Sequence, residues 1–225
     1  FTGGRAEYGI LLPLLKNLQA KKNVDLTLLV SGMHLSQEFG LTYKEIEKDG
    51  FKCNEKVEMI LSSDTPTSTC KSMGLGMIGF SDALTSLNPD FLVVLGDRFE
   101  SMSVVTSAMV CRIPVAHIQG GEMTLGAIDD HMRHCITKMS YLHFVTTSEY
   151  MNRVIQLGET RNRVFNVGAL NVDSMKKIDI LTKEELEMEI NFPIDDRTIL
   201  VTFHPITLEN NTSEGYFLKL IEAIK

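Results

Sequence analysis

The chain has 225 residues, 44% of them hydrophobic and 23% charged, which is enough apolar material for a full core and excludes a disordered tail. Its formal net charge is −7, with Lys and Arg scattered rather than clustered, so no basic stripe is present to neutralise a nucleic-acid backbone. Nucleic acid is thereby excluded as a partner. An anionic nucleotide is not, because helix N-termini and single Arg or His side chains bind phosphate locally.

Cys53, Cys70, Cys111 and Cys135 lie far apart with no CxxC pair. This pattern matches neither a disulfide framework nor a zinc knuckle, and the four are expected to be buried thiols of a reducing, cytoplasmic protein. No apolar run approaches the roughly 20 residues that cross a bilayer, and no basic, apolar, small-residue leader opens the sequence, so no membrane partner is expected. Phe1 and Thr2 run straight into a glycine turn, as though a strand had been cut away in front of them.

Short apolar runs alternate with longer amphipathic stretches, the sign of βαβ units and a parallel sheet. The pattern predicts strands near 25–31, 52–60, 91–96, 113–118, 142–147 and 163–168. Helical periodicity falls at 6–21, 36–48, 66–87, 98–112, 126–140 and 148–158, with Ser148 before Glu149 read as a cap. FLVVLG and PVAHIQ are continuously apolar, as expected of central strands covered on both faces. The fold class expected is a doubly wound α/β sheet spanning 1–169. Residues 170–196 read as a linker and charged helix. The run TILVTFHP, with a helix from about 213, makes 197–225 the opening of a second α/β unit that needs more chain to bury a core.

In open parallel sheets ligands sit beyond the carboxyl ends of the strands, so polar residues just after apolar runs are informative. TGGRAEYG, at residues 2–9, is a glycine turn entering a helix with Arg5 in its first turn; it lacks the dinucleotide fingerprint and the P-loop ending, and a solvated Arg is an equal reading. In LGDRFE, Asp97 and Arg98 follow a buried strand through Gly96, although an Asp there also serves simply as a helix cap. HIQGGE presents Glu122 from a Gly120–Gly121 turn, while His117, inside the strand, reads as a satisfied core histidine. AIDDHMRH sets Asp129 with Arg133 and Asp130 with His134 at i,i+4 spacing, a pattern common in surface ion pairs. Together these places put three carboxylates and two or three cations at one sheet edge. Converging carboxylates raise one another's pKa, so that one stays protonated while another acts as a base. No spacing suggests a metal and no GxSxG elbow or Cys/His nucleophile is present. The Met-rich stretch at 70–80 reads as helix core. Of His34 and His204, each just after an apolar run, His204 is the one expected at a cleft.

At these same residues the sequence resembles the UDP-N-acetylglucosamine 2-epimerase family, and within it the hydrolysing, sialic-acid-pathway branch. The resemblance rests on TGGRAEYG, SGMHLSQEFG, LGDRFE, HIQGGE, GAIDDHMRH, ITKMSYLHF and VTFHP, and covers essentially the whole chain. It implies two Rossmann-like domains of the glycosyltransferase-B-like kind, the second incomplete here, with the site in the cleft. Asp97, Glu122 and Asp129 would be the acid/base carboxylates, with Arg5, Asp130, Arg133 and His204 near phosphate and sugar oxygens. The implied reaction converts UDP-N-acetylglucosamine to N-acetylmannosamine and UDP through a 2-acetamidoglucal, in a homodimer that uses no cofactor or metal. The non-hydrolysing branch usually carries a lysine and a HVEAG-like segment where this sequence has Ile10 and HIQGG, which favours the hydrolysing branch. The alternatives are a non-hydrolysing epimerase, an epimerase for a modified bacterial nucleotide-amino sugar, and a non-catalytic nucleotide-sugar-binding module.

Overall fold

A computed structural model describes residues 1–175, 180–204, 206, 208, 209 and 212–225. Its elements in chain order are α1 (Arg5–Gln19), β1 (Leu28–Ser31), α2 (Tyr43–Lys48), β2 (Cys53–Val57), α3 (Pro66–Leu87), β3 (Leu92–Leu95), α4 (Phe99–Val110), β4 (Val115–Ile118), α5 (Ile128–Met139), β5 (Leu142–Val145), α6 (Ser148–Gln156), β6 (Val164–Asn166), α7 (Leu170–Met175), α8 (Lys183–Ile190) and α9 (Ser213–Ile224). All six strands expected within 1–169 form, and every pairing is parallel: β1 with β2, and β3, β4, β5 and β6 in sequence.

Phe1 and Thr2 lie between these two groups. Thr2 bridges Val30 in parallel, its N–H donating to Leu29 O at 3.1 Å, while the Phe1 amino group donates to Val93 O at 3.0 Å. The resulting order is β2, β1, residues 1–2, β3, β4, β5, β6. The chain therefore winds outward one way through β1 and β2 and the other way from β3. The crevice at such a reversal, beyond the strand ends, is where open α/β sheets bind ligands. Here it falls between the Gly3–Gly4 turn and the Gly96–Asp97 turn.

Successive strand side chains feed opposite cores. Leu29, Val57 and Val94 pack with Phe80, Leu84, Val104 and Ile136 of α3, α4 and α5 on one face, whereas Val30, Leu95 and Ile118 pack with Tyr8, Leu11 and Leu15 of α1 on the other. This two-faced burial is why the β3 and β4 runs are apolar throughout. In α3 the buried stripe is Ser68, Ser72, Gly76, Phe80 and Leu84, at i,i+4 spacing. The Met-rich stretch is therefore core on one side only, since Leu75 and Ile78 are exposed.

Three expectations need correction. TILVTFHP forms no strand: its described residues, 198–204, pair with no other segment, and a strand without a partner gains none of the ladder hydrogen bonds that stabilise it. The cap of α6 is Thr147, whose hydroxyl accepts from the Tyr150 N–H at 3.2 Å, one residue before Ser148. The cysteines are not buried: Cys53 is half-buried and Cys70, Cys111 and Cys135 are exposed on outer helix faces and ends. Among the described residues no helix is long and apolar enough to cross a membrane.

Candidate active site

A cavity of about 140 Å³ opens at the reversal point, lined by Glu7 of α1, by Leu95 to Arg98 after β3, by Gln119 and Glu122 after β4, and by Arg133 of α5. Each wall has a local cause. Gly96 takes φ +80°, which turns the chain sharply out of β3 and presents Asp97 at the strand end, with Arg98 as the residue preceding α4. Gly121 takes φ +77°, and a Cβ there would lie 2.6 Å from Tyr150 O, so only glycine lets the loop bearing Glu122 pack against α6. Gln119, not a glycine, is held at φ +65° at the cavity wall, the strained backbone often found at ligand sites.

Arg133 organises the polar groups. Its side chain is 6% exposed; Nη2 donates to Asp97 Oδ2 and to Thr124 Oγ1 at 2.9 Å, while Nη1 donates to Asp130 Oδ1 at 3.0 Å and to Glu122 O at 2.8 Å. It thus ties the ends of β3, β4 and the start of α5 together. The Asp129–Arg133 pairing expected from i,i+4 spacing is replaced by Asp130 at i,i+3 and by Asp97 from another element, because Arg133 turns inward to the cavity rather than along its helix face. Asp130 also accepts from Thr124 N–H at 2.9 Å and lies 3.7 Å from His134, the one expected i,i+4 contact that forms. Its position is that of a brace for Arg133.

Asp97 is held above the usual carboxylate range, first by burial and also by the nearby charge of Asp129, with Arg133 the strongest opposing influence. Glu122 Oε1 accepts from Thr146 Oγ1 at 3.0 Å. Asp129 is half-buried in the first turn of α5, close enough for its charge to act on Asp97, Arg98 and Glu100. His117 is fully buried; Nε2–H donates to Gly96 O at 2.8 Å, so Nδ1 accepts from the Thr137 hydroxyl at 3.2 Å. Burial brings its pKa down to about 4, leaving a neutral ring that fastens β4 to the Asp97 turn. It is the core histidine the sequence suggested.

Arg5 and His204 are not brought to the cavity. Residues 6, 7 and 10 share the inward stripe of α1, and Arg5, off that stripe, is exposed and paired with Glu45 at 3.0 Å. His204 is exposed in the segment without strand pairing. Conversely, the cavity also brings in Glu7, Gln119 and Arg98, to which the sequence pattern assigns no role. Glu7 occupies the third helical position after Gly4, from which Glu commonly reaches back to a free N–H; it accepts from Gly3 N–H at 2.8 Å. That spacing was the available signal. Among the described residues no cluster of three His, Cys, Asp or Glu is arranged to hold a metal ion.

Residues 16–225 match the family model described as UDP-N-acetylglucosamine 2-epimerase. The chain belongs to that family. Relatives of this epimerase-family chain include a Campylobacter jejuni protein named GDP/UDP-N,N'-diacetylbacillosamine 2-epimerase (hydrolyzing), 45% identical over 98% of this chain and 58% of its own length. Polysialic acid biosynthesis protein P7 of Escherichia coli is 39% identical over 99% of this chain and 57% of its own. A Legionella pneumophila UDP-N,N'-diacetylbacillosamine 2-epimerase (hydrolyzing) is 33% identical over 99% and 59%. The chain thus spans less than two thirds of the length of these curated relatives. Its fold is similar to that of the Neisseria meningitidis UDP-GlcNAc 2-epimerase bound to UDP-GlcNAc, with TM-score 0.71 at 19% identity over 87% of this chain and 53% of that one. The family assignment agrees with the resemblance seen in the motifs.

Proposed function

We propose that the protein containing this chain is a hydrolysing 2-epimerase of a UDP-linked 2-acetamido sugar. The observation that carries this reading is the convergence of Asp97, Glu122 and buried Arg133 on one cavity at the strand-order reversal, with Asp129 beside it. A base removes the proton at C2 while UDP leaves from C1, giving a 2-acetamidoglucal. Water then adds its oxygen at C1, and a proton returns to the opposite face of C2. Substrate and water become free epimerised sugar and UDP. Such chemistry needs groups that both accept and give protons near neutral pH, each worth about 10²–10⁴-fold. Three carboxylates of unequal environment supply them. Asp97, raised by burial, suits the proton-giving form, and Arg98 and Arg133 provide positive charge for the departing diphosphate.

The cavity is smaller than the roughly 300–1,000 Å³ that a whole ligand occupies. It suits the reacting part of the sugar, with the nucleotide held by a second Rossmann-like unit that begins at 197–225. His204 would join the site from that unit, and Arg5 would reach a phosphate only by leaving Glu45.

For the sugar, two observations favour N,N'-diacetylbacillosamine over N-acetylglucosamine. The 45%- and 33%-identical relatives carry its name, and Ala6, Ile10 and Leu95 give the cavity apolar surface among its polar groups, suited to a sugar in which an acetamido methyl and a C6 methyl stand in place of hydroxyls. Measuring kcat/KM for the full-length protein on both UDP-sugars decides this. We expect at least tenfold preference for the diacetamido sugar; equal use, or preference for UDP-N-acetylglucosamine, would restore the sialic-acid-pathway reading with N-acetylmannosamine as product.

A further inference from the structure

Beneath the three carboxylates already considered lies a fourth. Glu7 is 7% exposed, and its Oε2 is committed to the Gly3 N–H at 2.8 Å. Its Oε1 is buried and has no hydrogen-bond partner, although the side chain lines the same cavity as Asp97, Arg98, Glu122 and Arg133. An unmet buried oxygen is costly, and a charged one more so.

Its surroundings decide which form it takes. Glu100, at 0% exposure, faces it from the first turn of α4, and Arg98 faces it from the residue before that helix. Arg98 Nε donates to Glu100 Oε2 at 3.2 Å, so its positive charge is shared with that carboxylate, and it lowers Glu7 less than Glu100 raises it. Glu100 packs close against Gly32, where a Cβ would lie 2.9 Å from its Cγ and 3.1 Å from its Oε1, so only glycine leaves space for the carboxylate there. The remaining charged side chains around Glu7 are, across the cavity, Asp97, Glu122 and Arg133. Burial, helped by Glu100 and opposed chiefly by the Gly3 N–H, lifts Glu7 to about 7.

We propose that Glu7 is a further substrate-contacting group, a neutral acid whose Oε1–H donates a hydrogen bond to an oxygen of the bound nucleotide sugar. The proton belongs on Oε1 because Oε2 is the atom that accepts from Gly3. In the free protein Oε1 is sealed from solvent and has no partner; a turn of the carboxyl toward the cavity that the side chain lines brings the donor to a ligand oxygen. An anionic diphosphate arriving near Arg98 disfavours a negative Glu7 still further, so binding at slightly alkaline pH draws one proton from solvent onto the carboxyl. Ionisation removes the donor and adds a repulsive charge, and turnover efficiency falls.

This inference rests on the epimerase reading for its substrate, but part of its test does not. In the full-length protein, Glu7→Gln keeps a donor and cannot ionise, whereas Glu7→Leu removes the donor. The ratio of kcat/KM for Glu7→Gln over wild type should rise at least tenfold between pH 6 and pH 8.5, while Glu7→Leu should lose at least about 30-fold throughout. A constant ratio for Glu7→Gln, or a loss equal to that of Glu7→Leu at every pH, would overturn the proposal. Independently of any turnover, carboxyl ¹³C NMR of the ligand-free protein, assigned by the resonance missing from either variant, should show Glu7 titrating near pH 7. A midpoint below about 5 would overturn the proposal even if the protein proves a good epimerase. Failure of wild type to turn over either UDP-sugar, with the midpoint near 7 retained, would instead remove the epimerase reading.

Discussion

Replacing Arg133 by Ala removes four hydrogen bonds at once, to Asp97, Thr124, Asp130 and the Glu122 carbonyl. Because the guanidinium is buried, the change costs stability as well as turnover. Breaking a buried ion pair from one side costs about 3–5 kcal/mol because the partner charge is stranded. Asp97 and Asp130 keep 19% and 23% of their side-chain exposure, so water recovers part of this, and we expect about 2–3 kcal/mol. The cost should depend on pH. Arg133 is the strongest influence holding the Asp97 pKa down against burial, so without it the folded-state value climbs further above the unfolded one. A group raised in this way loses stability as pH rises through its folded pKa. The deficit of Arg133→Ala should therefore be larger at pH 8 than at pH 5, as read from urea unfolding at each pH. In an Asp97→Asn background it should shrink by about 1–2 kcal/mol, because the stranded charge is gone. A deficit below about 1 kcal/mol, or one equal at both pH values and in both backgrounds, would refute this view of Arg133 as the tie of the site.

Glu7→Gln should stabilise the protein at alkaline pH. A carboxyl lifted from 4.5 to about 7 on folding has its full stability below pH 4.5 and loses it as pH rises through 7, so by pH 8 the variant should lead by up to about 3 kcal/mol and near pH 4 by nothing; thermal unfolding across that range checks it. Asp97→Asn, Glu122→Gln and Asp129→Asn should each lower turnover at least about 10²-fold. Supplying 2-acetamidoglucal with UDP would then separate variants blocked in elimination from those blocked in hydration. Near-normal rates for all three would reduce the carboxylates to caps and ion-pair partners.

The order of elements was legible because burial on two faces leaves a plain mark. LVVL and VAHI are apolar at nearly every position, and residues 66–87 carry a helix whose bounds match the expected ones. The edge of the sheet that holds the site followed from the same reading, since Asp97 and Glu122 each come just after an apolar run. What stayed hidden depends on partners distant in the chain. Arg133 finds Asp97, 36 residues away, rather than its helical neighbour Asp129, and helical spacing carries no information about that choice. TILVTFHP has the composition of a strand, but pairing is a property of two segments, and its described residues have no second one. By position Glu7 is an ordinary first-turn carboxylate; only the packing of Glu100 behind it and the cavity in front make it unusual.

The most direct test of the central claim is a ¹H NMR time course of the full-length protein with its preferred UDP-sugar in D₂O. The account predicts free sugar of inverted configuration at C2, carrying one deuterium there, with stoichiometric UDP. A product still bound to UDP, or one that retains its original hydrogen at C2, would contradict elimination and hydration at this site.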